Sequence, residues 1–233
     1  VPYWINSGLN NRDLTISPDG NLLFSTVMAP VNQFAVIIMS EKRGDQWQPP
    51  VIAPFSGRYP DIEPMFSPDG KRLYFSSQRP VNGRHPKDDW DIWVTQQVDG
   101  QWQQPDRLGE PVNTDGDEFY PSVSTNGTLY FTSEREGGEG GEDILRAIPE
   151  NGVFVRIENA GRGVNTKGPE FNAWVAPDES YLLFSSQGRE GEIGGGDLYI
   201  SHRDGDGNFT PARLFHEPIN STRLDYCPYV FGG

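Results

Sequence analysis

Four carboxylates recur at one place in a repeated pattern. Asp61, Glu118, Glu170 and Asp225 each stand six residues before an aligned position, at Ser67, Ser124, Ala176 and Phe231, and Asn11 holds that place before Ser17. Two residues further on come Asp13, Glu63, Tyr120, Asn172 and Cys227. Carboxylates brought close together suggest two chemistries. They hold a hard cation such as Ca²⁺ through oxygen ligands. Or they repel until one keeps its proton, the condition for a general acid beside a second carboxylate in glycoside cleavage. A third reading is structural, with each carboxylate accepting hydrogen bonds from backbone N–H groups of a neighbouring repeat. Repetition favours that reading, because a structural role recurs in every repeat and a catalytic one need not. The candidate ligand-binding set is Asp13, Asp61, Glu63, Asp117, Glu118, Tyr120, Glu170, Asn172 and Asp225. The candidate metal ligands are Asp61, Glu118, Glu170 and Asp225, and no catalytic residue is assigned.

Such a set matters only if a scaffold brings it together. The aligned positions are separated by 50, 57, 52 and 55 residues. A period near that length, with several short strands per repeat, is the mark of a β-propeller, which gathers one repeat position from every blade around one axis. Each aligned position opens a turn: Ser17-Pro18-Asp19-Gly20, Ser67-Pro68-Asp69-Gly70, Thr125-Asn126-Gly127 and Pro177-Asp178-Glu179. Proline presets φ and Gly or Asn accepts positive φ, so two strands join tightly. A hydrophobic strand follows, as in Leu73-Tyr74-Phe75 and Leu129-Tyr130-Phe131, then a third strand opening at Asp91, Asp143 or Asp197. A fourth carries Trp47, Trp102, Phe154 or Phe209.

The expected fold is therefore an all-β propeller of four-stranded antiparallel blades, one domain over 1–233. The blades span 9–56, 57–113, 114–165 and 166–222. A fifth, incomplete blade would close from 1–8 and 223–233, since Ile5-Asn6-Ser7 echoes Val112-Asn113-Thr114 and Leu224 to Phe231 matches a first strand. A four-bladed ring with overlapping ends is the alternative. The exposed edge of an incomplete blade would invite a strand-exchanged homo-oligomer.

Other motifs carry weaker signals. Asn6, Asn113, Asn165 and Asn220 are expected to cap turns. Asp91, Asp143 and Asp197 are expected to accept hydrogen bonds between blades. Arg79, Arg135 and Arg189 would pair with the acidic rim or clamp a carboxylate ligand. The loops Gly137–Gly141 and Gly191–Gly196 lack the Lys-Ser or Lys-Thr and following helix of a phosphate cradle. They read as flexible, partner-facing loops or weak Ca²⁺ loops, without EF-hand spacing. His85, His202 and His216 occupy unrelated repeat positions and no Gly-x-Ser-x-Gly elbow exists, which argues against a serine triad or a zinc site. Trp90, Trp93 and Trp174 could stack sugars, though Trp in such strands is commonly core. Cys227 reads as a structural thiol rather than a nucleophile.

With 33 acidic and 19 basic residues the net charge is −14, against a nucleic-acid partner. No apolar stretch reaches the length of a membrane span. No leader segment is legible at Val1, so the chain is expected to be mature or trimmed. The single cysteine excludes an internal disulfide.

The phrase Gln101-Trp102-Gln103-Gln104-Pro105-Asp106-Arg107-Leu108-Gly109-Glu110-Pro111-Val112-Asn113-Thr114, with Asp117-Glu118-Phe119-Tyr120-Pro121 after it, resembles the PD40 (WD40-like) repeat. So does Phe131-Thr132-Ser133-Glu134-Arg135-Glu136-Gly137-Gly138, running on to Asp143-Ile144. The resemblance to TolB-like propellers covers nearly the whole chain. It implies a bacterial envelope protein, periplasmic or secreted, acting as an interaction scaffold, and lends no catalytic set. Two functions are expected. The first is a non-catalytic propeller whose acidic loop face binds a protein or a carbohydrate. The alternative is a carbohydrate-active or lactonase-like hydrolase using channel carboxylates, with Ca²⁺ as the one cofactor considered.

Overall fold

Short apolar strands alternating with Pro/Gly/Asn turns leave this chain one economical way to bury its side chains: as small antiparallel sheets packed face to face. The computed structural model describes residues 10–29, 34–81 and 88–231. The fold is a β-propeller built from four-stranded antiparallel blades, with β-strands as its only regular elements among the described residues. No helix there is long and apolar enough to cross a membrane.

The chain divides into two compact units. The first, up to Leu108 and joined by 230–231, holds two sheets. One contains β1 (Asn10–Ile16), β2 (Leu22–Met28), β3 (Ala35–Arg43), β4 (Gln46–Trp47) and β5 (Val51–Ile52). The other contains β6 (Asp61–Phe66), β7 (Arg72–Ser77), β8 (Asp91–Val98), β9 (Gln101–Trp102) and β10 (Asp106–Arg107). In both, the outer strand is broken into two short pieces, at Pro49-Pro50 and at Pro105, because proline has no N–H to give to the ladder. Their core joins Phe24, Phe55, Phe66, Phe75 and Trp93, with the Trp102 ring edge-on to Phe24 at 5.4 Å.

The second unit, Gly109–Tyr229, holds the other two sheets. They are β11 (Glu118–Val123), β12 (Leu129–Ser133), β13 (Asp143–Glu150) and β14 (Val153–Asn159), then β15 (Glu170–Val175), β16 (Tyr181–Ser186), β17 (Asp197–His202) and β18 (Arg213–Leu214). Their core centres on Tyr130, Ile144, Val175, Leu182, Phe184 and Tyr199. The second strand of each blade is buried on both faces, which is why it reads as an unbroken apolar run rather than an alternation. Trp93 and Trp174 lie in strands and are buried, so they serve as packing rather than as exposed sugar platforms.

Four sheets form among the described residues, and the expected fifth blade is not among them. Its N-terminal part, residues 1–8, lies outside the described residues, as do Asn6 and His85. Residues 222–231 carry no strand.

One irregularity repeats in every first strand. The register of each inner pair shifts between Arg12 and Thr15, Ile62 and Met65, Phe119 and Ser122, and Phe171 and Trp174. Inside those bulges Asp13, Glu63, Tyr120 and Asn172 take φ of 56°, 61°, 52° and 55°. Left-handed backbone costs a non-glycine residue roughly 1–2 kcal/mol. Hydroxyls of the preceding blade collect amides of these first strands, one inside a bulge and one just past it. Glu63 N–H donates to Thr26 Oγ1 at 2.9 Å and Val175 N–H to Ser122 Oγ at 3.0 Å. This exchange offsets the strain and locks neighbouring blades together.

Candidate functional site

Three of the repeated carboxylates, Asp61, Glu118 and Glu170, begin inner strands and are fully buried, so each must find partners in place of water. In the second blade Asp61 accepts from Ser56 Oγ at 2.7 Å, Ser77 Oγ at 2.6 Å and Arg79 Nη2 at 2.7 Å. In the third, Glu118 accepts from Thr114 N–H at 3.0 Å, Thr114 Oγ1 at 2.7 Å, Ser133 Oγ at 3.2 Å and Arg135 Nη2 at 3.0 Å. In the fourth, Glu170 accepts from Thr166 N–H at 2.8 Å, Thr166 Oγ1 at 2.6 Å, Ser186 Oγ at 2.9 Å and Arg189 Nη2 at 3.0 Å. The parts are constant: a loop hydroxyl four or five residues back, the serine ending the second strand, and the arginine just beyond it.

Each arginine does two further jobs. It donates to a backbone carbonyl of the preceding loop, at Phe55, Pro111 or Val164. Its guanidinium also lies 5.0–5.2 Å from the ring of Phe75, Phe131 or Phe184. The arginines are thus structural clamps on the chain's own acids and are not free to seize a carboxylate ligand.

This corrects the expected structural role in its detail. The partners are side chains and a loop amide of the same repeat, not backbone N–H groups of a neighbouring blade. Burial raises the Asp61 carboxyl above its ordinary pKa, with Arg79, Ser77 and Ser56 pulling the other way. Burial likewise raises Glu118 against Thr114, Arg135 and Ser133. For the metal reading of Asp61, Glu118, Glu170 and Asp225 the finding is plain. Among the described residues no cluster of three or more His, Cys, Asp or Glu side chains has the arrangement to hold a metal ion.

The bulge residues meet in pairs. Arg12 Nε lies 2.8 Å from Asp13 Oδ2 and its Nη2 lies 3.5 Å from Glu63 Oε1, while Ser76 Oγ donates to Glu63 Oε2 at 2.9 Å. Asn172 Nδ2 lies 3.3 Å from Cys227 Sγ, and Tyr120 lies against Phe119 with ring centroids 6.3 Å apart. Asp117 joins Glu134 around Glu142, a half-buried carboxyl that burial and the charges of Glu134 and Asp117 push up.

Other expected roles also change. Asn220 closes its own turn, donating from Nδ2 to Phe215 O at 2.7 Å, and both Asn165 and Asn220 also reach a third strand. Asn165 Oδ1 accepts from Ile144 N–H at 2.9 Å and its Nδ2 donates to Ile144 O at 2.8 Å. Asn220 grips Leu198 N–H and O in the same way. Each therefore extends the outer edge of the third strand it touches. Asp91, Asp143 and Asp197 work within their own blades. Asp91 is held two-pronged by Arg107 at 2.7 and 2.8 Å, Asp143 accepts from Glu139 N–H at 2.6 Å, and Asp197 from Ile193 N–H at 2.6 Å.

The Gly-rich loops are clasps. A Cβ at Gly140 would lie 2.6 Å from the carbonyl oxygens of Thr166 and Gly168. One at Gly194 would lie 2.0 Å from that of Arg223. Glycine is needed there because the loop rests directly on the backbone that leads into the next inner strand.

Glu179 was not singled out in the sequence. It stands where Gly20, Gly70 and Gly127 stand in the other repeats and keeps φ at 60°. Its carboxylate accepts from Ser124 Oγ of the third blade at 3.0 Å and pairs with Arg203. The break in the Pro-Asp-Gly turn was the available signal, since a non-glycine residue holds that backbone only when something repays it.

A cleft of about 520 Å³ opens in the second unit. It is lined by the loop residues 166–168 and 188–190 together with Tyr199, Ala212 and Leu214. Lys167 and Glu190 are its exposed charges.

No protein-family model and no curated protein matches the chain. Three solved structures share its architecture. A glycoside hydrolase aligns over 95% of this chain and 80% of its own, with TM-score 0.60 and 8% identity. The alpha-L-arabinofuranosidase from Lactobacillus brevis aligns over 91% and 74%, with TM-score 0.55 and 10% identity. A puromycin-hydrolyzing peptidase of Mycobacterium tuberculosis aligns over 91% of this chain, TM-score 0.56 and 12% identity, but the chain spans only 30% of its length. At these identities the likeness is one of fold.

Proposed function

We propose that this propeller is a carbohydrate-directed module whose binding site is the cleft of the second unit. The observation that carries the reading is the cleft itself. Its volume lies within the roughly 300–1,000 Å³ usual for small-molecule sites. Its lining pairs the partly exposed aliphatic side chains of Ala212 and Leu214 with an exposed cation, an exposed carboxylate and a hydroxyl, a mixture of apolar surface and hydrogen-bonding groups suited to a polyhydroxylated ligand. Asp61, Glu118 and Glu170 are already saturated by Ser, Thr and Arg, which leaves the cleft as the better place for a ligand. Placement in a bacterial envelope rests on the PD40 resemblance of residues 101–121 and 131–144 alone.

A second reading, hydrolysis of the bound glycan, is favoured by Glu142. A half-buried carboxyl whose pKa is pushed up by burial and by the charges of Glu134 and Asp117 has the makings of a general acid with a carboxylate partner. The likeness to two glycosidases supports a fold able to host such chemistry.

One experiment tests both. The protein is mixed with a panel of plant and bacterial oligosaccharides, and thermal shift and released reducing sugar are read together. A melting temperature raised by one sugar class, and lowered again by Lys167→Ala or Glu190→Gln, supports the binding site. Sugar release falling about 100-fold or more in Glu142→Gln supports the second reading. No shift with any sugar overturns the first.

A further inference from the structure

Three third strands open on a buried aspartate, and in each the residue two places on is paired with one position of the outer strand. The register sets Arg107 across from Trp93, Asn159 across from Leu145 and Leu214 across from Tyr199. In the second and third blades that position serves the aspartate. Arg107 holds both oxygens of Asp91 at 2.7 and 2.8 Å, and Asn159 Nδ2 donates to Asp143 Oδ2 at 3.0 Å. In the fourth blade Leu214 has nothing to donate. Asp197 is fully buried and accepts at Oδ2 from Ile193 N–H at 2.6 Å. Among the described residues its Oδ1 has no hydrogen-bond partner and no arginine or lysine pairs with it.

This is the blade in which the cleft opens, and Leu214 and Tyr199 both line it. Tyr199 registers the local charge. Burial raises its phenol above the ordinary value and the charge of Asp197 raises it further. Arg189 pulls the other way, and Glu192 and Glu170 add to the rise. Arg189 is already paired with Glu170 at 3.0 Å. Asp197 and Glu192 thus stand behind the lining without a paired cation among the described residues, and Glu190 stands exposed on it. Lys167 is the opposing charge. A buried carboxylate is screened far less than an exposed one, so the field of Asp197 reaches into the cleft.

We propose that the cleft selects an amino sugar, a glycan whose ring carries a free ammonium, seated over Leu214 with its charge toward Asp197 and Glu190. The assignment rests on the carbohydrate reading above and names the sugar class. The ammonium gives Asp197 the compensation that Arg107 gives Asp91. It acts through space, since the carboxylate itself stays covered, and the apolar face of the ring covers Leu214.

Titration calorimetry on the intact protein compares three trisaccharides: glucosamine units with protonated amines, the N-acetylated form, and unsubstituted glucose. The glucosamine trisaccharide is expected to bind about tenfold or more tighter than the other two, by an advantage that shrinks as salt is added. Asp197→Asn and Glu190→Gln each reduce that advantage, the second at an exposed site where folding is not in question. Equal or tighter binding of the acetylated or glucose form overturns the amino-sugar assignment and leaves the carbohydrate reading standing. If none of the three binds, the assignment falls, and the carbohydrate reading falls with it only when the wider sugar panel also fails. An advantage for glucosamine that both variants leave intact overturns it too, as the general attraction of a cation to a chain of net charge −14.

Discussion

Glu170 and Asp225 begin the same motif and end differently. Glu170 is fully buried and closed by a threonine, a serine and an arginine that also covers an aromatic ring. Asp225 is half-buried and, among the described residues, its carboxylate bonds the serine four residues before it. The loop half of the latch forms locally, from residues close in sequence. The other half comes from the blade's second strand and the residues just beyond it, as Ser186 and Arg189 show for Glu170. A recurring acid is therefore read through its donors before it is read as chemistry.

The largest expected contrast is between removing an arginine from a buried latch and altering the half-buried Asp225. Arg79→Ala strands Asp61 without its cation in a dry site and is expected to cost about 3–5 kcal/mol, as broken buried pairs do. Asp225→Asn is expected to cost less than about 1 kcal/mol, the range of partly exposed polar contacts. Urea unfolding of the two variants reads the difference, and equal losses would dissolve the distinction.

A smaller contrast tests the clasps that carry each inner strand. Gly140→Ala drives a methyl into two backbone carbonyls and is expected to cost about 1–3 kcal/mol. Gly195→Ala, with nothing within 4 Å of the added carbon, is expected to change stability by less than about 0.5 kcal/mol. Their melting temperatures should separate accordingly. Should Gly140→Ala melt like the parent, the close approach is not a constraint.

The smallest effect concerns pH. Burial alone would raise the Glu179 carboxyl. Hydrogen bonds from Thr128 and Ser124 and the charge of Arg203 outweigh it and hold the group below the usual carboxylate range. A depressed folded-state pKa means this contribution is present above the unfolded value, about 4.3, and is lost as pH falls through the folded one. Asp61 and Glu118, raised by burial, slope the other way: their stabilising contribution is present at low pH and fades as pH climbs past their raised pKa values. The difference between parent and Glu179→Gln isolates the first trend. Stability of the parent relative to the variant should decline between about pH 5 and 3. A flat difference curve would show that the clasp between third and fourth blades carries no charge dependence.

Much of the fold was legible because its determinants are local and repeated. The Ser-Pro-Asp-Gly turns, the Leu-Tyr-Phe strands and the aspartates opening third strands all sit where their spacing places them. Partners were harder to read. Ser77 lies 16 residues from Asp61 and Arg79 lies 18, while the offsets are 15 and 17 at Glu118 and 16 and 19 at Glu170. Asn165 looked like a turn cap because asparagine often is one, yet its amide faces a strand 21 residues away.

The sequence by itself determined the repeat, the strands within it, the tight turns and the recurrence of an acid at the head of each inner strand, because these follow from backbone propensity and short-range spacing. Only the tertiary structure decided that those acids are saturated rather than reactive, that the glycines are close-contact clasps, and that Asp225 differs from its counterparts. The reason is physical: a carboxylate's role depends on which donors replace its lost water, and those donors arrive from strands that sequence order alone does not bring into range.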